Sequence, residues 1–184
     1  LSTDDTIDRW FPGLERATEI TIEHLITHRA GVVDLYSLPL FGRTAGRSGT
    51  FAEVVEAVVA SPLTHAPGEN FAYSNGGYAL LAAIIEMVSG ESYGAFLDRA
   101  LFRPLGMHST AHDQPGPTRF RRVPGYLPWG VDDVTPAIPV IGEWTKGAGS
   151  LWSSGRDLLT WAEALHPGNL LSADSHEKFV NGGA

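Results

Sequence analysis

The stretch PGENFAYSNGGY, from Pro67 to Tyr78, carries the most specific pattern in the chain. The run that follows, Tyr78 to Val88, is apolar on nearly every side and holds one charge, Glu86. Such a run predicts a buried central helix, and Gly90 predicts its C-cap. The tripeptide Tyr73-Ser74-Asn75 therefore stands on a glycine-rich turn directly before a buried helix.

Shorter helices and loops are predicted around this centre. N-cap residues followed by apolar residues at helical spacing predict further helices, which are Ile22–Ile26 after Thr21, Phe51–Ala60 after Thr50, Ser92–Leu101, Ser154–Leu165 and Ala173–Phe179 after Ser172. The proline-rich residues 111–142 predict a long loop region with short strands at most. No alternating strand of useful length is visible, so a mostly helical chain is expected.

Composition excludes several classes of function. The 184 residues include 43% hydrophobic ones, enough for a folded core, and carry a formal net charge of −8. An acidic chain is repelled by phosphate backbones and anionic lipid, so we expect no nucleic-acid partner. The absence of cysteine removes disulfides and thiolate chemistry. No apolar run is long enough to span a bilayer, so no transmembrane segment is expected.

Five segments, together with the Tyr73-Ser74-Asn75 tripeptide, resemble one family in the expected order. The tripeptide resembles the Tyr-x-Asn motif of the serine β-lactamases of class C type and the related penicillin-binding DD-peptidases and esterases. The other matching segments are Leu1–Pro12, Ile20–Gly31, Ser89–Tyr93, Phe102–Met107 and Lys146–Leu158. They cover most of the chain in register.

The resemblance implies acyl transfer through a serine ester. In that family a Ser-x-x-Lys motif supplies the nucleophile, and a later Lys-Thr-Gly type motif binds the substrate carboxylate. Carried over, Tyr73 is the proton-transfer residue and Asn75 the positioning amide, with Ser74, Trp144 and Lys146 as further candidates in the substrate cleft. A free tyrosine has a pKa near ~10, so Tyr73 needs a close cation to work near neutrality. The reaction needs no cofactor.

The chain departs from the family at both flanks. Neither the Ser-x-x-Lys motif upstream of Leu1 nor the third motif downstream of Ala184 is present. We therefore expect one domain fragment over residues 1–184, the helical portion of an α+β fold with most or all of its antiparallel sheet missing. The chain opens without Met and without a signal-peptide pattern, so we expect its true N-terminus upstream and leave its compartment open.

Two literal motif matches and two histidine pairs are interpreted as structural. Ser175 and Lys178 form Ser-x-x-Lys, but in the wrong order relative to Tyr73. Gly90-Glu91-Ser92-Tyr93-Gly94 forms a nucleophile-elbow pattern, but a helix precedes it where an elbow needs a strand. The pairs His24/His28 and His108/His112 have i, i+4 spacing, but neither has the glutamate of a zinc-protease helix. We predict no metal site.

Two functions remain. The first is a fragment of a serine hydrolase for small-molecule amides or esters, inactive by itself because the nucleophile is absent. The second is a non-catalytic ligand-binding or scaffold module of the same fold, using the cleft around Tyr73, Asn75 and Trp144. In either case the apolar Tyr78–Val88 helix needs cover on more than one face, so with the flanking sheet missing we expect exposed apolar surface and self-association.

Overall fold

The computed structural model describes residues 1–39, 50–113, 123–129, 133–137 and 142–181. The first 20 residues form turns that fold back on themselves. The amide of Ile7 donates to the carbonyl of Ile20 at 3.0 Å, and Thr6 bridges Thr21. The five apolar side chains that these turns bury begin the core, namely Ile7, Phe11, Leu14, Ala17 and Ile20.

Helix α1, Ile22–Ile26, begins where its cap predicts. The amide of His24 donates to the Thr21 hydroxyl, and the amide of Thr21 donates to the ring Nδ1 of His24. After the helix ends, a 3-10 turn at Leu35–Ser37 is capped by Asp34.

Helix α2, Phe51–Val59, confirms the predicted capping box. Thr50 caps Glu53, and the Glu53 carboxylate accepts from the amide of Thr50 at 2.7 Å. The helix ends at Val59, one residue before the predicted end, and places Phe51, Val54 and Val58 in the core.

Helix α3, Asn75–Ser89, is the central helix, and it begins three residues before the predicted start at Tyr78. The longer helix follows from Ser74, whose hydroxyl accepts from the amide of Gly77. A Cβ on Gly76 would lie 2.2 Å from the carbonyl oxygen of Val33, so glycine permits this close approach. Gly90 ends the helix at φ +70°, as predicted.

Helix α4, Tyr93–Leu97, runs into a π-helical turn at Asp98–Phe102, which extends the predicted helix by one residue. The Glu86 carboxylate joins α3 to α4 by accepting from the amide of Tyr93 at 2.8 Å. No single helix of the described ranges is long and apolar enough to cross a membrane. Taken together, α3 and the segment Tyr93–Phe102 have the length and composition, but they bend by 77°.

The strands are short and antiparallel. Strands β1, Ala111–His112, and β4, Leu151–Trp152, form one pair, and β2, Tyr126–Trp129, pairs with β3, Asp133–Pro136. A 3-10 turn at Gly142–Thr145 precedes β4. Parts of the predicted loop region, residues 114–122, 130–132 and 138–141, lie outside the described residues. In the described ranges helices account for far more residues than strands.

Helix α5, Gly155–Ala164, confirms Ser154 as a cap and packs the predicted Trp161 against the core, but the other predicted core residues at its start are wrong. Leu158 and Leu159, assigned to the apolar face by spacing, are 56% and 68% exposed. Asp157 is buried instead, because its carboxylate accepts from the amide of Ser109 and the hydroxyl of Thr110. Helix α6, Ala173–Asn181, follows with no buried residue.

Candidate active site around Tyr73 and Asn75

The structure brings Tyr73 and Asn75 together at the N-terminus of α3. The Tyr73 hydroxyl donates to Asn75 Oδ1 at 3.4 Å. Tyr73 is 61% exposed, whereas Asn75 is buried. The pair therefore presents a phenol to solvent, backed by an amide that is fixed inside the protein.

Asp34 fixes the orientation of that amide. Its Oδ1 accepts from both the backbone N and the side-chain Nδ2 of Asn75, each at 2.8 Å. Because a carboxylate can only accept, the atom facing Asp34 must be the NH2 group and the atom facing Tyr73 must be the carbonyl oxygen. Asn75 thus presents an acceptor to the site.

Ser74 has its hydroxyl fully committed to the backbone. It donates to the carbonyl of Val33 at 3.0 Å and accepts from the amide of Gly77 at 2.9 Å. The side chain is buried, so its observed contacts are those of a helix cap. Its place in a substrate cleft stays a prediction.

The His28 ring packs against the ring of Tyr73, tilted by 36° to it. Its ring centroid is 4.4 Å from that of Tyr73 and 4.9 Å from that of Tyr78, with Phe71 edge-on at 5.9 Å. Its Nδ1 accepts from the amide of Ser74 at 3.1 Å. Burial lowers the pKa of His28, which favours the neutral ring that can accept this bond.

Tyr78 is the other tyrosine of this cluster, and its environment suits proton transfer poorly. Its hydroxyl donates to the carbonyl of Ile26 at 3.0 Å. Burial raises the pKa of Tyr78, and the neighbouring Tyr73 adds to the rise. Of the two phenols, Tyr73 is therefore the more exposed.

Trp144 lies in the 3-10 turn Gly142–Thr145, and Lys146 follows that turn and contacts α3 far from Tyr73. The Lys146 ammonium is buried and pairs with Glu86 at 3.0 Å and Glu143 at 3.1 Å, with the Phe51 ring 4.2 Å away. Glu86 is eleven residues beyond Asn75, which is roughly 16 Å of helix rise. No contact within the described residues joins Lys146 to Tyr73, and its cleft role stays a prediction.

Trp144 is buried, and its indole Nε1 has no hydrogen-bond partner within the described residues. The same holds for both ring nitrogens of His112 and for the Ser150 hydroxyl. Ser150 lines a cavity of about 190 Å³ together with Tyr93 and the Gly147–Leu151 backbone. Tyr73, Asn75 and Trp144 are not among the residues that line that cavity. The predicted place of Trp144 in a substrate cleft therefore stays a prediction.

The literal motif matches occupy structural positions. Ser92 caps α4 by accepting from the amide of Ala95. Ser175 is exposed on α6, where Lys178 pairs with Asp174 at 3.6 Å. His28 follows the end of α1 at φ 57°, so the helical spacing assumed for the His24/His28 pair does not apply. No group of three metal-ligating side chains occurs among the described residues.

Sequence reasoning missed Asp34 and the contacts of His28. His28 lies inside the matched segment Ile20–Gly31, where its position beside a glycine turn was the available signal. Asp34 is 41 residues from Asn75 in the chain, and no local pattern links the two.

Comparison with known proteins agrees with the resemblance. The family model "Beta-lactamase" matches residues 1–182. The chain is 29% identical over 190 residues to "Putative penicillin-binding protein PbpX" of Bacillus subtilis, covering 100% of this chain and 45% of that protein.

Solved structures show the same fold. D-amino acid amidase from Ochrobactrum anthropi SV3, complexed with L-phenylalanine amide, matches with a TM-score of 0.84 at 29% identity, over 97% of this chain and 52% of the amidase. A penicillin-binding protein from Bacillus halodurans matches with a TM-score of 0.82 at 24% identity, over 98% of this chain and 56% of that one; this likeness concerns the fold alone.

The chain spans about half the length of the relatives it matches. Within that span the match is continuous, and it includes the turn that carries Tyr73 and Asn75. The chain belongs to the beta-lactamase family and has the β-lactamase-like fold.

Proposed function

We propose that this chain is the Tyr-x-Asn portion of a serine hydrolase that cleaves small amides or esters through an acyl-enzyme. The observation that carries this proposal is the position of the Tyr73 hydroxyl, which faces solvent and lies 3.4 Å from Asn75 Oδ1. The backbone amides before and after Tyr73, those of Ala72 and Ser74, both donate hydrogen bonds to His28. Family membership supplies the reaction class.

In the proposed reaction Tyr73 moves one proton twice. The phenolate oxygen takes the proton of the nucleophilic serine as that hydroxyl attacks the substrate carbonyl. The phenol then returns the proton to the departing amine or alcohol as the acyl-enzyme forms. Asn75 positions the resting Tyr73 phenol by accepting its hydrogen bond. Once the phenol has lost its proton, the same carbonyl oxygen can accept only from a neighbouring ammonium group, which is the cation that the phenolate needs.

We further propose that residues 1–184 form the helical portion of the fold, with most of the sheet and the serine nucleophile contributed by segments outside it. A proton-transfer residue without a nucleophile gives no covalent step. The 184-residue chain should therefore show no stoichiometric labelling by penicillin or a fluorophosphonate, as followed by intact-protein mass spectrometry. Labelling at Ser92 or Ser175 would contradict this proposal.

The relatives supply the candidate substrates for this proposal. A D-amino acid amidase matches at 29% identity, and a penicillin-binding protein matches along the whole chain. We therefore place D-amino acid amides, chromogenic esters and a chromogenic cephalosporin in the same assay. The substrate with the largest kcat/KM identifies the class.

The test is Tyr73→Phe in the full-length gene product, with Tyr78→Phe as the matched control. Both changes remove one phenol oxygen from a ring stacked on His28. Loss of a general base lowers turnover by about 10² to 10⁴-fold, so Tyr73→Phe should fall by that factor while Tyr78→Phe retains turnover. Undiminished turnover of Tyr73→Phe would refute the proposed role.

The binding-module alternative makes a different prediction. If the natural gene carries no in-frame Ser-x-x-Lys upstream, the full-length product has no acylation step, and the Tyr73 turn can only bind a ligand. Sequencing the flanking DNA separates the two functions directly.

A further inference from the structure

His28 has a backbone conformation that demands an explanation. Its φ of 57° lies in the left-handed region, which non-glycine residues seldom occupy. Such a conformation is held only where surrounding contacts compensate for it. Most of those contacts come from one neighbouring segment, residues 71–74, which we call the link and which carries Tyr73.

The backbone on both sides of Tyr73 is bonded to His28. The carbonyl of His28 accepts from the amide of Ala72 at 2.9 Å, and its Nδ1 accepts from the amide of Ser74 at 3.1 Å. The imidazole also stacks against the Tyr73 ring with a centroid distance of 4.4 Å. One residue thus fixes the main chain before and after Tyr73 and supports one face of its ring.

The Tyr78 ring completes this arrangement on the other element. It lies 4.9 Å from the His28 ring at an interplanar angle of 27°. His28 therefore has an aromatic contact on the link and another on α3. A ring held in this way restricts where the exposed Tyr73 phenol can move.

We propose that His28 is a positioning residue that sets the Tyr73 phenol in place for proton transfer, through its Nδ1 bond to the Ser74 amide and its stacking on the Tyr73 ring. This inference rests on the proposed function of Tyr73. It assigns to His28 a neutral ring with its proton on Nε2, because Nδ1 must accept a hydrogen bond from a backbone amide.

Protonation of His28 abolishes this arrangement, since an imidazolium cannot accept at Nδ1. The titratable groups that face the ring are the phenols of Tyr73, which precedes α3, and Tyr78, which lies on α3. On its own segment Arg29 follows it and His24 precedes it on α1. Burial opposes protonation, so the arrangement persists below the pH at which a free histidine titrates.

Two substitutions separate the hydrogen bond from mere filling of space. In His28→Asn the side-chain oxygen stands near the position of Nδ1, and asparagine tolerates positive φ. His28→Leu keeps apolar bulk but offers no acceptor and disfavours that φ. Asn should therefore restore the Ser74 contact, whereas Leu should not.

The direct test is NMR on the ¹⁵N-labelled 184-residue chain. We expect a through-hydrogen-bond coupling between Ser74 N and His28 Nδ1, and a Ser74 amide shift that follows the His28 titration. His28→Leu should displace the Tyr73 ring resonances, and His28→Asn should displace them less. A Ser74 amide that ignores the His28 titration would overturn the proposal.

Kinetics of the full-length gene product give the second readout. His28→Leu should lower kcat about 10²-fold, the effect of roughly 1 Å of misplacement, with KM within about threefold, and His28→Asn should recover most of the loss. Equal activity of the Asn and Leu variants, with Tyr73→Phe inactive, would overturn the positioning role alone. Full activity of Tyr73→Phe would overturn the proposed function as well.

Discussion

Removing the Asp34 carboxylate should destabilise the site by an amount that the structure allows us to work out. Asp34 makes two bonds to Asn75 at 2.8 Å and caps the following 3-10 turn by accepting from Tyr36 N at 3.1 Å. A hydrogen bond to a charged group contributes about 1.5 to 3 kcal/mol. Asp34 is half-buried and one oxygen serves both donors, so we take the lower value for each. With ~1 kcal/mol for the cap, Asp34→Ala should lose about 4 kcal/mol.

Asp34→Ser divides this total into its parts. Serine still caps the turn but cannot reach Asn75, so the loss should be about 3 kcal/mol, all of it from the Asn75 bonds. Ser92→Ala is the matched control, because it removes only a helix cap and should lose about 1 kcal/mol without touching the site.

The assay is equilibrium urea unfolding of the four proteins, followed by tryptophan fluorescence and circular dichroism. If Asp34→Ser unfolds at the same free energy as the parent chain, the Asn75 bonds contribute nothing to stability. That result would refute the conclusion that Asp34 locks the amide.

Three further predictions concern packing, pH and association. Gly76→Ala should destabilise the chain by about 1 to 3 kcal/mol, because its Cβ would lie 2.2 Å from the carbonyl oxygen of Val33. The control is Gly149→Ala, whose Cβ would have nothing within 4 Å. It should change the free energy of unfolding by less than ~0.5 kcal/mol in the same urea assay. Burial lowers the pKa of His112, and Lys146 lowers it further, whereas the neighbouring carboxylates oppose the shift. The unfolded chain therefore binds a proton at this histidine first as pH falls below ~6.5, and the free energy of unfolding decreases there. His112→Phe should flatten this decrease of the unfolding free energy with falling pH, and an unchanged pH dependence would contradict the role given to His112. The exposed apolar residues at the end of α3 and on α5 should make the chain associate as its concentration rises, and a clean monomer in size-exclusion chromatography would argue against this.

Local signals predicted the elements well because their causes are local. Thr50 and Ser154 cap helices through bonds to residues three positions away, so the pattern is visible in sequence. The same is true of Gly90, whose positive φ ends α3. The sequence predicts the start of α3 too late because Gly76 and Gly77 indicate a turn locally, and only the close approach of the Val33 carbonyl explains why a glycine stands at position 76 inside a helix.

The exposed leucines of α5 show where periodicity misleads. Spacing alone placed Leu158 and Leu159 on the buried face, but the hydrogen bonds of Asp157 to Ser109 and Thr110 turn that residue inward. Partners nearly fifty residues away decide which side of the helix faces the core, and periodicity contains no information about them.

In the candidate site, too, local residues are predictable from the sequence and distant partners are not. Tyr73 and Asn75 were found because the family motif spans three residues. Their supports, His28 and Asp34, act across 46 and 41 residues of chain. The prediction that the chain is a fragment concerns segments outside the 184 residues, and it remains a proposal.

Proton transfer by Tyr73 is the central claim, and the acylation rate tests it most directly. Single-turnover stopped-flow kinetics of the full-length gene product would compare Tyr73→Phe with Tyr78→Phe on the best substrate. We predict an acylation rate at least about 10²-fold lower for Tyr73→Phe and near that of the parent protein for Tyr78→Phe. Equal acylation rates in the two variants would contradict the account.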